Sequence, residues 1–128
     1  MQQFLLVGLG GAVGAVARWQ LGELVLRHTP GWRFPLGTVA VNVVGCLAAG
    51  VLAGLAARSG VFSADAKLFL FTGLLGGFTT FSAFGLETVA LLRRGDHTAA
   101  AAYVMLSVGC GAAALWLAVV CVGGKLGR

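Results

Sequence analysis

Charged side chains are scarce in this sequence. Of its 128 residues only 10% are charged, whereas 59% are hydrophobic and the mean hydropathy is +0.95. Soluble domains carry about 25% charged residues. A chain this small has too little interior to hide so many apolar side chains from water, so a soluble fold is excluded. The composition therefore predicts an integral membrane protein.

Proline is rare, and paired cysteine motifs and basic clusters are missing. With 2 prolines beside 21 glycines, the chain is neither collagen-like nor a proline-rich linker, and the glycines are expected to serve helix contacts. Cys46, Cys110 and Cys121 have no CxxC or CxxxH spacing, which favours free, buried thiols over a metal cluster. The basic residues behind the net charge of +5 are scattered between apolar runs, so no nucleic-acid partner is expected.

Four apolar windows fill the chain, and each is long enough to cross a bilayer as a helix. They cover residues 4–26, 36–57, 68–92 and 98–122, and short polar segments separate them. We therefore predict a single all-α, four-span membrane domain over residues 1–128. No basic segment precedes the first window, which is expected to be a true span and not a cleaved signal peptide.

Basic residues outside the spans divide equally between the two sides of the membrane. Because loops rich in Lys and Arg normally stay on the cytoplasmic side, an equal division removes the bias that selects one orientation. The chain could therefore insert both ways and pair with an inverted copy of itself. One side carries Arg58, Lys67, Lys125 and Arg128, and the other carries Arg27, Arg33, Arg93 and Arg94.

Small residues recur at four-residue spacing, as in Gly10 and Gly14, Gly50 and Gly54, and Gly73 and Gly77. Such pairs allow helix backbones to approach closely. The spacing fits packing within one four-helix unit, and it also fits an interface between subunits.

Polar residues inside the windows are few, and such residues usually face protein or a water-filled path. Thr38 and Asn42 lie one turn apart on one helix face. Asn42 could form an interhelical hydrogen bond or contact a permeant solute. Arg18 could pair with Glu23, extend to the interface, or attract an anion into a vestibule.

The third window is predicted to be an interrupted helix. Between Gly73 and Gly85 it places adjacent glycines before adjacent threonines, which are poor helix formers. Backbone carbonyls released at such a break could bind a hard cation such as Na⁺. Phe81 and Phe84 share one face of the following half-helix, where they could serve packing or hold a small anion at their positive ring edges.

Tyr103 and Ser107 form a polar stripe on the fourth window, and Gly111 follows at the same spacing. Their hydroxyls could line a path, or they could bond to carbonyls of the preceding turn. Acidic residues are not central in any window, since Glu87 lies one turn after Phe84 and Glu23 near a span end. A coupled exporter of the small multidrug-resistance type, which needs a central acid in its first span, is therefore disfavoured. The histidines lie in loops, which disfavours a haem-carrying anchor subunit.

Three segments, GGFTTFSAF (Gly76–Phe84), GAVARW (Gly14–Trp19) and PLGTVAVN (Pro35–Asn42), resemble the Fluc/CrcB fluoride channels in order, position and chain size. The resemblance covers essentially the whole chain. It implies a non-enzymatic, multi-pass protein of the cell inner membrane that exports fluoride passively and confers fluoride resistance. It also implies an antiparallel, dual-topology homodimer in membrane lipid, with two antiparallel pores and no organic cofactor.

The same resemblance implies roles for particular residues. Fluoride would pass Phe81, Phe84 and Asn42, and Thr38, Ser107 and Tyr103 would extend this path. Arg18 would belong to the vestibule, and the backbone carbonyls of Gly76 and Thr79 would hold a central structural Na⁺. Gly111 departs from the pattern, because it stands where a hydroxyl would have continued the stripe from Ser107.

Overall fold

The computed structural model describes residues 1–124, apart from the side chain of Ser59. Lys125 and Arg128, which belong to the charge comparison, lie outside the described residues. Within these limits the chain is helical, with four helices long and apolar enough to cross a membrane, and each encloses one predicted window. Helix α1 covers Gln2–His28 and α2 covers Leu36–Ser59; the third span covers Ala64–Arg93, and the fourth, called α5 below, covers His97–Gly123.

The third span consists of two helices joined by two extended residues. Its first half, α3, covers residues 64–78 and includes a π-helical stretch, Leu68–Leu75. Its second half, α4, covers Phe81–Arg93. Between them Thr79 (φ −82°, ψ 154°) and Thr80 (φ −146°, ψ 111°) have extended backbones.

The predicted interruption is therefore present, but it falls on the threonines, and the adjacent glycines remain in the helix. β-Branched threonine favours extended backbone. The Thr80 hydroxyl also accepts a hydrogen bond from the Ala83 amide at 3.2 Å, which caps the start of α4. The adjacent glycines instead allow the backbone of α1 to come close to α3.

The glycine pairs lie where helix backbones of this one chain meet. A Cβ at Gly10 of α1 would lie 2.7 Å from the Phe69 carbonyl oxygen, and one at Gly14 would lie 2.8 Å from the Phe78 amide nitrogen. The pair on α2 meets α5 with similarly little space. Because no side chain fits at these crossings, packing within one four-helix unit is confirmed as the role of the pairs.

A tight turn at Gly95 reverses the chain between α4 and α5. Its φ of 80° lies in the left-handed region, which glycine adopts without steric cost. The Gly95 amide donates to the Leu92 carbonyl at 3.0 Å, and the Asp96 amide donates to that of Leu91 at 3.1 Å. Since the connection is so short, α5 returns along α4, and residues on the two helices face each other.

Large apolar side chains project outward along the helices, as expected where lipid surrounds the spans. The three cysteines are free, as predicted. The expectation that all three are buried is wrong, however, because Cys110 and Cys121 are exposed on α5 and only Cys46 is partly buried. Both exposed thiols lie on the outer surface of the helices. A free cysteine behaves there as a small apolar side chain.

Candidate functional site

Asn42 of α2 holds the interruption in the third span. Its Oδ1 accepts a hydrogen bond from the Thr80 amide at 3.0 Å, and its Nδ2 donates to the Thr80 carbonyl at 3.3 Å. One side chain thus satisfies both backbone groups of an extended residue that has left the helical pattern. Of the alternatives for Asn42, the interhelical hydrogen bond is made. Its Nδ2 carries a second hydrogen, so the amide keeps donor capacity.

The break also releases two backbone carbonyls from helical pairing. In an uninterrupted α-helix the Thr80 amide would donate to the Gly76 carbonyl, and the Ala83 amide to the Thr79 carbonyl. Instead, the first amide donates to Asn42 and the second to the Thr80 hydroxyl. Gly76 and Thr79 are the two positions from which the resemblance expects carbonyl ligands, and carbonyl oxygens suit a hard cation. The backbone present is thus of the kind that could hold Na⁺.

Glu87 of α4 joins three helices through hydrogen bonds. Its Oε1 accepts from the Thr38 hydroxyl of α2 at 2.8 Å, and its Oε2 accepts from the Tyr103 hydroxyl of α5 at 2.6 Å. Glu87 was not predicted to be a site residue, because it lies away from the middle of its span. Its position one turn after Phe84 was the available signal, since it places the carboxylate on the aromatic face.

Three aromatic rings form a continuous row from α4 to α5. The centroids of Phe81 and Phe84 are 5.5 Å apart, and those of Phe84 and Tyr103 are 5.3 Å apart. At the Tyr103 end of the row, Phe34 packs against Tyr103 edge to face, with 5.7 Å between the ring centroids. Tyr103 is fully buried, whereas Phe81 at the other end is 84% exposed. The Phe81 ring therefore contributes little to packing within this chain.

A cavity of about 280 Å³ brings most of the predicted path residues together. The Ser107 hydroxyl oxygen is buried there without a hydrogen-bond partner, although a buried polar group normally has one. The alternative in which this hydroxyl bonds to the preceding turn therefore does not apply to Ser107, while Thr79 and Thr88 do form such bonds. The lining residues are Asn42, Cys46, Thr79, Thr80, Phe81, Phe84, Ser107 and Val108.

Arg18 belongs to a second cavity of about 190 Å³, which Thr38 and Glu87 also line. The Nε atom of Arg18 is buried and has no hydrogen-bond partner. Glu23 lines a different groove, on the outer side of α1, together with Arg27. Arg18 thus shares a cavity with Thr38 and Glu87, whereas Glu23 lines another groove, and the vestibule role of Arg18 is taken up in the proposal below. Thr80 lines both cavities and so lies between them.

The predicted site residues thus form two groups around the break. Asn42, Phe81, Phe84 and Ser107 share the first cavity, and Arg18 and Thr38 share the second. Tyr103 lines neither, but its ring contacts Phe84 of the first cavity and its hydroxyl donates to Glu87 of the second. Gly76 lies on the exposed side of α3, apart from both cavities.

Comparison with known proteins identifies the relatives of this chain. A sequence profile of the family described as "CrcB-like protein, Camphor Resistance (CrcB)" matches residues 5–119. A protein of Methylobacillus flagellatus named fluoride-specific ion channel FluC is 56% identical over 117 residues, which is 91% of each chain. Proteins of the same name from Hyphomonas neptunium and Paracoccus denitrificans are 51% identical over 119 residues (91% of this chain, 92% of the relative) and 50% over 125 residues (98% and 94%).

The relatives are named as ion channels, which confirms the expectation of a non-enzymatic protein. Together with four helices of spanning length, they also support a multi-pass membrane protein. The resemblance noted on Gly14–Trp19, Pro35–Asn42 and Gly76–Phe84 is confirmed, because the matched range includes all three segments. The chain belongs to the CrcB-like protein family.

Proposed function

We propose that the chain forms a fluoride-selective channel in the cell inner membrane and exports fluoride passively, which lowers cytoplasmic fluoride and confers resistance to it. The observation that carries the proposal is the first cavity. Ser107, whose buried hydroxyl has no hydrogen-bond partner, lines this cavity together with Asn42, Phe81 and Phe84. The names of the relatives support the choice of ion.

The chemistry of this cavity suits a small, strongly hydrated anion. Such an ion enters a pore only when the lining replaces its water, and it leaves only when no single contact binds it tightly. Amide and hydroxyl hydrogens and positive ring edges are donors of this moderate kind. In our proposal fluoride enters past Arg18, passes the break near Thr80 and continues along the ring pair to Ser107. Chloride is larger and would fit the same narrow path poorly.

Two of the proposed path residues have their donors engaged. The hydroxyls of Thr38 and Tyr103 each have one hydrogen, and both donate it to Glu87. They could therefore donate to an anion only by giving up their hydrogen bond to Glu87. This requirement separates them from Ser107, whose donor is free for the ion in the arrangement described.

The proposal includes an antiparallel homodimer with two antiparallel pores. Equal numbers of basic residues on the two sides of the membrane support insertion in both orientations. Phe81 supports a second copy too, because its ring lies at mid-span beside an extended backbone and is 84% exposed. Irregular backbone at membrane depth needs protein or a cavity beside it, and an inverted partner would supply protein.

A structural Na⁺ at the dimer axis completes the proposal. The Gly76 and Thr79 carbonyls have lost their helical donors, and two inverted copies would bring four such oxygens together. Bound Na⁺ would supply positive charge that balances these carbonyl dipoles and ties the two interrupted helices to each other. Asn42 and the Thr80 hydroxyl would keep the backbone in the conformation that exposes the oxygens.

Fluoride efflux tests the function directly. Liposomes reconstituted with the purified protein and loaded with fluoride or chloride should lose fluoride far faster than protein-free liposomes, and should lose little chloride, because the path suits only the smaller ion. An ion-selective electrode measures both. Protein purified and reconstituted without Na⁺ should lose fluoride flux. Folded, dimeric protein that releases no fluoride would contradict the channel assignment, and full flux without Na⁺ would contradict the structural cation.

Dual topology predicts that the C-terminus is found on both sides of the membrane. One fusion carries a C-terminal reporter that is active only in the cytoplasm, and another carries a reporter that is active only outside. Both fusions should give substantial signal. Adding two lysines to the loop between α1 and α2 should shift the population toward one reporter, since it breaks the equal division of charge. A signal from one side only in the unchanged chain would contradict dual insertion.

A further inference from the structure

The thiol of Cys46 occupies the space beside Gly111. The two residues lie on different helices, α2 and α5, and a Cβ added at Gly111 would lie 3.2 Å from the Cys46 sulfur and 3.9 Å from its Cβ. The thiol therefore stands where a side chain at position 111 would otherwise point. Gly111 itself is buried, so this space belongs to the helix interface and not to the lipid surface.

This position is also where the polar stripe of α5 stops. Tyr103 and Ser107 carry hydroxyls, and Gly111, next at the same spacing, carries none. Ser107 is only 9% exposed, and its oxygen has no partner although it lines the first cavity. Cys46 lines that cavity as well. Ser107, with its buried and unpartnered hydroxyl, and Cys46 thus line one cavity, and the Cys46 thiol lies beside the bare Gly111 backbone.

We propose that Cys46 is an ion-contacting residue that continues the fluoride path beyond Ser107, in place of the hydroxyl that Gly111 lacks. A thiol hydrogen is a weak donor, which suits a passing ion that must not be held. The path thus crosses from α5 to α2 at this depth. The inference rests on the proposed function, because it assigns a further contact to the same pathway.

Moving the donor from one helix to the other tests the inference. Cys46→Ala should lower fluoride flux about threefold, as expected when one weak hydrogen bond is lost within a membrane protein. The double variant Cys46→Ala with Gly111→Ser should restore the flux, because removing the sulfur leaves only an ordinary 3.9 Å contact for the new side chain.

The matched control is Cys46→Ala with Gly111→Ala, which fills the same space without a donor. It should stay at the low flux of the single variant, with its dimer intact by size-exclusion chromatography. Equal restoration by alanine and serine would show that Cys46 only fills space and would overturn the inference. So would a Cys46→Ala protein with unchanged flux.

Thiol labelling tests the same inference on the unchanged sequence, so the result does not depend on whether a variant folds. Methyl methanethiosulfonate converts an accessible thiol to a methyl disulfide and releases methanesulfinate. Reaction at Cys46, located by mass spectrometry, should reduce fluoride flux, whereas Cys46→Ala protein, which retains Cys110 and Cys121, should be insensitive to the reagent. A labelled Cys46 with unchanged flux, or a Cys46 that does not react at all, would overturn the inference.

Loss of the channel function and loss of the Cys46 role give different results in these experiments. If untreated, folded protein releases no fluoride, the channel assignment itself is wrong. If untreated protein conducts but neither the donor exchange nor the labelling changes its flux as described, only the role of Cys46 is wrong.

Discussion

Replacing Gly77 with valine is expected to prevent the chain from folding. A Cβ at this position would lie 2.9 Å from the Cα of Gly11, closer than real Cβ atoms approach other atoms, and 3.0 Å from its carbonyl carbon. Overpacking against flexible side chains costs about 1–3 kcal/mol. At Gly77 the clash is with backbone atoms, so α1 and α3 must separate. The loss of folding free energy should therefore exceed that range. We expect no folded dimer in size-exclusion chromatography after membrane extraction.

Gly8→Val is the matched control for this substitution. Gly8 also lies in a membrane-spanning helix, but a Cβ there would meet nothing within 4 Å in this chain. The control protein should be extracted as a folded species with a thermal stability close to that of the unchanged protein. Normal folding of Gly77→Val would show that the α1–α3 crossing is less close than the structure indicates.

Phe81→Ile is expected to reduce fluoride flux by about tenfold while leaving the dimer intact. An aromatic edge interaction is worth about 0.5–1.5 kcal/mol, and 1.4 kcal/mol corresponds to a factor of ten. Isoleucine keeps the apolar bulk but has no positive ring edge to offer a fluoride ion. Because the Phe81 ring is 84% exposed within its own chain, its loss should not unfold that chain.

Phe4→Ile provides the same chemical change at a site of equal exposure. Phe4 is 83% exposed, near the start of α1 and outside the lining of the cavities around the break. Its substitution should leave both flux and dimer unchanged when liposome efflux is measured in parallel. Unchanged flux in Phe81→Ile would remove the ring edge from the proposed pathway.

Helix spans and helix faces were predictable because they depend on local sequence. A run of about 20 apolar residues is enough to predict a span, and each observed helix contains its predicted window. Spacing of three or four residues likewise placed Phe81 beside Phe84, and the rings are indeed in contact. The break in the third span was predictable for the same reason, since Thr79 and Thr80 are adjacent poor helix formers.

Contacts between spans could not be predicted in this way, because they depend on how deep each helix lies and how it crosses its neighbours. Spacing gave no reason to join Glu87 to Thr38, 49 residues away, or to assign Asn42 to the Thr80 backbone. The glycine spacing was consistent with packing inside one four-helix unit and with an interface between subunits until the α1–α3 crossing was known.

The amino-acid sequence was sufficient to establish a four-span membrane protein, an interrupted third span and membership of a channel family. Those conclusions follow from apolar length, helical periodicity and contiguous motifs, all of which are local along the chain. The fold alone brought Cys46 beside Gly111 and left the Ser107 hydroxyl unpartnered in a cavity. Such neighbours arise from packing between helices, where a shift of a single turn would exchange one partner for another.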